Sequence, residues 1–218
     1  MKTLAGRKKG IRKALVVCNG RLLSKKAMLP LLNERPFVLC ADGGANKSRR
    51  LGIRPNVIVG DLDSISPATG RFFARVKTIH IEDQESTDLE KSFDYLLSRK
   101  IIDVVVLGAM GGRPDHSLAN LSILMKYRTR LKLRYSDSHC DIQIINRRIE
   151  LDIEVGSIVS LMPLGRCLGI TTVGLKYPLR NESLELGVRE GTSNEVISSP
   201  AKISVRSGNL LLFTLKKQ

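Results

Sequence analysis

Short apolar runs that end in glycine or aspartate constrain the fold of this chain more than any other feature. Such runs suit strands that are buried on both faces, because neither side of the strand then meets water. Stretches with helical spacing separate the runs, at 21–34, 45–51, 88–99 and 116–126. The predicted strands are Ala14–Cys18, Phe37–Ala41, Val57–Val59, Lys77–Ile81 and Val104–Leu107. This alternation predicts a largely parallel sheet that is covered by helices on both faces.

The pattern changes near residue 140. From Ile142 onward, short runs with a period of two residues alternate with turn residues, and no long helical stretch follows. Several short strands at regular spacing are typical of an antiparallel sandwich or barrel. We therefore expect an α/β N-terminal domain with a mostly parallel, Rossmann-like sheet at 1–137, followed by an all-β C-terminal sandwich at 138–218.

The formal net charge of +15 over 218 residues favours a polyanionic partner, either a phosphorylated substrate or a nucleic acid. Basic residues cluster at Arg7–Lys13 and at Lys126–Arg134. Aromatic residues are only 4% of the chain, and we expect no platform for base stacking among the basic residues. We therefore predict no specific nucleic-acid partner, and a basic nucleic-acid-binding protein stays the non-enzyme alternative.

The four cysteines form no Cys-x-x-Cys pair, which disfavours a zinc site, and their small number fits a reducing compartment. No apolar run approaches the roughly 20 residues of a membrane span. The N-terminus also lacks the apolar core of a secretory signal. These features predict a soluble, cytoplasmic protein without membrane contact.

Two acidic segments follow predicted strands, where ligands of open α/β sheets bind. Asp42-Gly43-Gly44-Ala45-Asn46 offers glycines that let the backbone approach a ligand, ahead of a helix N-terminus that attracts phosphate. Gly60-Asp61-Leu62-Asp63-Ser64 has two carboxylates that can face one Mg²⁺ in an extended or turning segment. An ordinary strand-to-helix turn is the structural alternative for the first segment, which alone does not favour function. A solvated acidic turn is the alternative for the second segment, where we favour a metal role.

A third segment, Asp83–Lys91, leads into a predicted helix that Ser86 or Thr87 would cap. Asp88 and Lys91 then lie three residues apart on one helix face. A carboxylate beside an ammonium suits a magnesium-bound polyphosphate. The alternative is a capped surface helix with an ion pair that contributes little to stability.

A fourth segment, Gly108–His116, follows the last predicted strand of the α/β half and opens a helix. The guanidinium of Arg113 suits phosphate oxygens, and Asp115 and His116 suit acid–base or nucleotide contacts. A structural hydrogen-bonding role is the alternative for His116. Because the three residues are clustered, we favour a role in function.

The four segments, in this order, resemble the thiamine pyrophosphokinase family. The similarity continues through Gly174–Leu179 and Thr192–Glu195 and covers nearly the whole chain. The motifs of the first half are Asp42-Gly43-Gly44-Ala45-Asn46, Gly60-Asp61-Leu62-Asp63-Ser64, Gln84-x-x-Thr87-Asp88-x-x-Lys91 and Gly111-Gly112-Arg113-x-Asp115-His116-x-x-x-Asn120.

The resemblance implies transfer of the pyrophosphoryl group of ATP to the hydroxyethyl group of thiamine, with AMP as the second product. It implies that 1–137 is the ATP-binding catalytic domain, that 138–218 is the thiamine-binding domain, and that the protein is a homodimer. It also implies catalytic roles for Asp61, Asp63, Gln84, Asp88 and Lys91. The implied Mg²⁺ ligands are Asp61, Asp63 and Asp88. The implied ATP-binding residues are Asp42, Asn46, Lys91, Arg113, Asp115 and His116. The implied thiamine-binding residues are Tyr177, Ser193 and Asn194.

Three questions stay open at the level of the sequence. The general base is Asp88, Asp115 or a phosphate oxygen. The alternative enzyme is another magnesium-dependent nucleotide phosphotransferase or hydrolase. The basic segment Lys2–Lys13 lies outside the family pattern and has no assigned role.

Overall fold

The computed structural model describes residues 13–217, so the basic N-terminal segment before Lys13 lies outside the described residues. The helices are α1 (Lys25–Asn33), α2 (Gly44–Leu51), α3 (Pro67–Phe72), α4 (Asp88–Ser98) and α5 (Pro114–Tyr127). The strands are β1 (Lys13–Val17), β2 (Phe37–Ala41), β3 (Val57–Gly60), β4 (Lys77–His80), β5 (Asp103–Leu107), β6 (Lys132–Ser136), β7 (Cys140–Ile145), β8 (Arg148–Leu151), β9 (Ile158–Val173), β10 (Arg180–Glu185), β11 (Gly191–Glu195), β12 (Ala201–Ser204) and β13 (Ser207–Leu215).

The described residues divide into two compact units. Unit 1 comprises 13–19, 25–105 and 130–132, and unit 2 comprises 20–24, 106–129 and 133–217. The chain thus leaves unit 1 for a few residues after β1, and again within β5. None of the helices within 13–217 is long and apolar enough to cross a membrane.

Unit 1 is built on strands in the order β4-β3-β2-β1-β5. The pairs β1–β2, β2–β3 and β3–β4 are parallel. All residues of β2 and β3 are buried, which explains their continuous apolar sequence. Helix α2 packs against β1 and β2, and helix α4 packs against β2 and β3. Parallel pairing places the carboxyl ends of β2 and β3 side by side at the same end of the sheet.

Unit 2 is rich in antiparallel strands. The long strand β9 pairs with β10, β11, β12 and β13, and β13 also pairs with β7. Its core is aliphatic, and both halves of β9 contribute to it, through Leu161 and Ile170. This aliphatic packing agrees with a chain that lacks tryptophan.

Several helices and strands differ from the predicted ones. Helix α1 begins at Lys25, four residues after the start of the predicted stretch 21–34, and contains Pro30. Helix α3 was missed, since its six residues carry too few apolar positions to show a period. Strand β9 has 16 residues, whereas the pattern after Ile142 predicted only short strands.

A close contact between α2 and β1 depends on Gly44. A Cβ atom on Gly44 would lie 1.9 Å from the carbonyl oxygen of Val17, which is well inside van der Waals contact. The first turn of α2 can therefore approach the end of β1 only without a side chain at this position. This approach holds the Asp42–Asn46 turn against the sheet.

We expect Gly44→Ala to destabilise the protein by about 1–3 kcal/mol, because the added methyl group forces the helix away from β1. The matched control is Gly70→Ala in α3, where a Cβ atom would meet nothing within 4 Å. Since alanine favours helix over glycine, the control should raise stability by about 0.5–1 kcal/mol. Urea unfolding midpoints of both variants measure the difference. Equal effects of the two substitutions would contradict the assignment of this contact.

Candidate active site

Three carboxylates of unit 1 converge where parallel strands end. Asp42 follows β2, Asp61 follows β3, and Asp88 begins α4. One carboxylate oxygen of each lies within 4.8 Å of one from each of the others. Asp42 is only 4% exposed, whereas Asp61 and Asp88 are half-buried. We call these three residues the acidic cluster.

The geometry of the acidic cluster fits a cation. The Oδ1 atoms of Asp42 and Asp88 are buried and have no hydrogen-bond partner among the residues that the structure describes, although the ammonium of Lys91 lies 3.5 Å from the Oδ1 atom of Asp88. Buried polar atoms normally have partners, so these two carboxylate oxygens need an explanation. A divalent ion would supply it, because Mg²⁺ takes oxygen ligands from one or two carboxylates and completes its shell with phosphate oxygens and water.

A glycine makes this convergence possible. A Cβ atom on Gly60 would lie 2.8 Å from the Cβ atom of Asp42 and 3.0 Å from the Oδ1 atom of Asp88. Any side chain at this position would therefore push the carboxylates apart. The left-handed backbone of Asp42, with a φ of 39°, also turns this residue at the strand end.

Lys91 is the basic member of this site. Its ammonium is almost fully buried and lies 3.5 Å from the Oδ1 atom of Asp88, one helical turn away on α4. Burial raises the pKa of Asp88, the charges of Asp42 and Asp61 raise it further, and Lys91 opposes the shift. The predicted pairing of Asp88 with Lys91 on one helix face is thus present in the structure.

Asp63 lies outside the acidic cluster. The residue before it, Leu62, has a left-handed φ of 70°, so the segment turns instead of alternating as an extended strand would. The carboxylate of Asp63 is exposed and accepts a hydrogen bond from the hydroxyl of Ser64 at 2.9 Å. Its backbone N–H donates to the carboxylate of Asp61 at 3.3 Å. Its predicted role as a metal ligand stays a prediction, whereas Asp42, predicted for ATP, joins the cluster.

The side chain of Asn46 braces the loop that carries Asp61. Its amide nitrogen donates to the carbonyl of Ser64 at 2.7 Å, and its amide oxygen accepts from the backbone N–H of Ser66 at 3.1 Å. Both ends of the amide are therefore engaged with the protein. This arrangement gives Asn46 a positioning role beside its predicted contact with ATP.

The segment before α4 forms a tight turn. Asp83 accepts hydrogen bonds from Ser86 at 2.5 Å and from the backbone N–H of Glu85 at 2.9 Å, which lowers the pKa of Asp83. Thr87 and Glu90 then form the reciprocal capping box that starts the helix at Asp88. The side chain of Gln84 is exposed and donates to the carbonyl of Glu82 at 3.2 Å. The turn thus fixes where Asp88 begins its helix.

In unit 2, backbone contacts hold the glycine loop at 108–112. The N–H of Gly20 donates to the carbonyl of Gly108 at 3.0 Å, and the N–H of Arg21 donates to the carbonyl of Gly111 at 3.0 Å. On the other side, the amide of Asn120 donates to the carbonyl of Ala109 at 2.6 Å. Gly20 and Arg21 could not be predicted as part of this loop, because their contacts with it are long-range.

Arg113 and Asp115, at the start of α5, form an exposed pair. The guanidinium donates from Nη2 to Oδ2 at 2.5 Å and from Nε to Oδ1 at 3.2 Å. The hydrogen bonds from Arg113 lower the pKa of Asp115 to about 2. His116 beside them is exposed. All three side chains can reach a ligand in solution, and the carboxylate of Asp115 is a weak proton acceptor at neutral pH.

The predicted thiamine residues form a small group in unit 2. The ring of Tyr177 is 64% exposed, and its backbone is fixed by Asn194, whose amide accepts from the N–H of Tyr177 at 3.0 Å and donates to its carbonyl at 2.8 Å. Asn194 is buried and so positions Tyr177, whereas Ser193 is exposed with a left-handed φ of 56°. The structure thus brings these three residues together and presents one aromatic face.

Comparisons with known proteins agree with this arrangement. A model of the thiamin pyrophosphokinase catalytic domain matches residues 28–135, and a model of the thiamin pyrophosphokinase vitamin B1 binding domain matches residues 144–210. Thiamine pyrophosphokinase 1 of Arabidopsis thaliana is 34% identical over 94% of this chain and 86% of its own length. Thiamine pyrophosphokinase of Bacillus subtilis (strain 168) is 32% identical over 83% of this chain and 87% of its own length.

A solved structure shows the same fold. The crystal structure of thiamine pyrophosphokinase from Bacillus subtilis superimposes with a TM-score of 0.84 and 28% identity, and the match covers 95% of this chain and 100% of that chain. The family models cover most of the chain, and the relatives match it nearly from end to end. The chain therefore belongs to the thiamine pyrophosphokinase family.

Proposed function

We propose that this protein transfers the pyrophosphoryl group of ATP to the hydroxyethyl oxygen of thiamine, giving thiamine diphosphate and AMP. The observation that carries the proposal is the acidic cluster, with two orphaned buried carboxylate oxygens beside a buried lysine. In a chain of this family, such a cluster suits a cation that carries a polyphosphate. The new bond forms between the thiamine oxygen and the β-phosphorus, and the bond between that phosphorus and the oxygen of the α-phosphate breaks.

We propose that Mg²⁺ is the ion and that Asp61 and Asp88 hold it, with Asp42 as a further ligand. Asp63 is the remaining ligand that the family resemblance implies. The three clustered carboxylates, all oxygen donors, support a hard divalent cation. When bound, the ion neutralises the negative charge that develops on the transferred phosphates. The ammonium of Lys91 would add a fixed positive charge at the same place.

In unit 1, we propose that Asn46 and Lys91 bind ATP. In unit 2, we propose the same role for Arg113, Asp115 and His116. Support comes from the exposure of the Arg113 guanidinium, which can exchange its carboxylate partner for phosphate oxygens. The lowered pKa of Asp115 disfavours this residue as the general base. Asp88 and a phosphate oxygen remain as the proton acceptors, and we propose that Gln84 helps to place the acceptor hydroxyl.

For thiamine, we propose that the exposed ring of Tyr177 stacks on the cationic thiazolium or the flat pyrimidine, with a polar contact from Ser193. Asn194 then acts by holding Tyr177, because its amide already bonds the tyrosine backbone on both sides. The match of 144–210 to a vitamin B1 binding domain supports this region as the acceptor site.

The same reasoning extends to architecture and assembly. We propose a Rossmann-like catalytic domain at 1–137, which its three parallel strand pairs support. We also propose a thiamine-binding sandwich at 138–218, which its antiparallel strands support. A homodimer is proposed from the family resemblance alone. Four free cysteines support a cytoplasmic location.

The first prediction concerns the products. Protein, Mg²⁺ and ATP should yield AMP only when thiamine is present, because water lacks the oriented hydroxyethyl group that the site is built to accept. Chromatography of the nucleotides with and without thiamine measures this dependence. AMP that forms without thiamine, or ADP in its place, would favour the alternative of another nucleotide phosphotransferase or hydrolase. The nucleic-acid-binding alternative predicts no turnover at all.

A second prediction separates the two aspartates of the Asp61–Asp63 segment. Asp61→Asn should lower the turnover number by about 100-fold or more and raise the Mg²⁺ concentration required, because Asp61 lies in the acidic cluster. Asp63→Asn should have a smaller effect, because its carboxylate is exposed and outside the cluster. Mg²⁺ titrations of turnover, after removal of metal with EDTA, compare the variants. Equal losses would place Asp63 among the ligands on a par with Asp61.

A third prediction concerns the acceptor pocket. Tyr177→Ala should raise the KM for thiamine by roughly 10-fold or more, since it removes the stacking face, and should leave the KM for ATP unchanged. Tyr177→Phe is the matched control, because it keeps the ring and should stay near the wild type. Steady-state kinetics with each substrate varied in turn test this. If the KM for thiamine does not change in the alanine variant, the acceptor binds elsewhere.

A further inference from the structure

A cavity of about 420 Å³ in unit 1 lies apart from the acidic cluster. Two segments line it, Gly52–Arg54 directly before β3 and Arg71–Val76 directly before β4. The cavity therefore lies at the amino ends of these parallel strands, whereas Asp61 follows the carboxyl end of β3. The two sites lie at opposite ends of the parallel strands of the same sheet. We call this cavity the arginine groove.

The arginine groove has a strongly positive lining. Arg54, Arg71 and Arg75 line it and are exposed, and the lining contains no carboxylate. Within residues 13–217, none of these three arginines forms an ion pair. The chain also has no acidic residue at 44–60 or at 64–81. Free guanidinium groups with no acidic neighbours in the chain are suited to phosphate, which they bind through two parallel hydrogen bonds.

An exposed aromatic ring stands in this positive lining. Phe72 is 64% exposed, although a phenylalanine is normally buried. The buried Phe73 holds it by an edge-to-face contact at 5.0 Å, and the guanidinium of Arg49 lies 5.3 Å from the centre of its ring. The ring is thus supported by the protein while much of its surface stays open to solvent.

We propose that the arginine groove binds single-stranded nucleic acid, with a base stacked on Phe72 and the backbone phosphates on Arg54, Arg71 and Arg75. Aromatic rings inside positive grooves bind single strands in this manner, because every base has a face that can stack. A concave site with one ring fits an unstacked base better than a membrane, which requires protruding apolar residues. Phe72 ends helix α3 and lines the groove with Arg71 and Arg75, away from the basic clusters at Arg7–Lys13 and Lys126–Arg134.

Binding of a fluorescent 12-nucleotide oligouridylate to the full chain tests the proposal by anisotropy. Phe72→Ala should weaken binding by roughly 10-fold or more, and Phe72→Tyr should restore it, because the ring is what stacks. Arg71→Gln with Arg75→Gln should reduce the slope of log affinity against log salt by about 1.4, which corresponds to two lost phosphate contacts on a single strand. The matched control is Arg147→Gln with Arg206→Gln, which removes the same charge from exposed positions of unit 2 and should change neither quantity.

All of these variants should keep the thiamine-dependent formation of AMP, and ATP at saturating concentration should leave the oligonucleotide bound. Displacement by ATP would place the oligonucleotide at the catalytic site and overturn the proposal. It is also overturned if the control pair weakens binding as much as the Arg71 and Arg75 pair, since the effect would then be general charge. If Phe72→Ala lowers binding to phosphatidylserine vesicles but not to the oligonucleotide, the groove is a membrane contact instead.

Discussion

The burial of like charges at the carboxyl ends of β2 and β3 is the constraint on which the site depends. Two carboxylates at 4.8 Å repel each other by roughly 3 kcal/mol at the effective dielectric of a partly buried site. Lys91 compensates one of the three charges, which leaves two negative charges in the acidic cluster. A divalent cation removes this excess. The arrangement is therefore unfavourable for folding alone, and a bound cation would offset this cost.

The need to bring like charges together explains the backbone features around the acidic cluster. Gly60 is required because any Cβ atom there would separate Asp42 from Asp88, and Gly44 is required because α2 begins against β1. Asn46 uses its whole amide to hold the loop after Asp61. The glycines and the asparagine of the family motifs thus act first on the shape of the backbone. The carboxylates converge because these residues allow the strand ends to approach.

Much of this site could be predicted from the sequence. Buried strands such as β2 are evident as unbroken apolar runs, and the start of α4 is evident from the cap at Thr87. The membership of the cluster could not be predicted, because it depends on two left-handed residues. Asp42 and Leu62 both have a positive φ, and only the aspartate is of a residue type that favours this conformation, so the turn at Leu62 is not evident in the sequence. Gly20 and Arg21 were missed because only tertiary hydrogen bonds connect them to the glycine loop.

The parallel strands of unit 1 also separate charge between their two ends. Arg35, Arg54 and Arg75 precede β2, β3 and β4, whereas Asp42, Asp61 and Asp83 follow them. The acidic ends suit a cation with its polyphosphate, and the basic ends suit an anion without a metal. Because exposed charges are screened beyond about 10 Å at an ionic strength of about 0.1 M, each end of the strands can act on its own ligand. The high net charge of this chain is therefore compatible with a metal site, since the excess of arginine lies away from the carboxylates that would hold the ion.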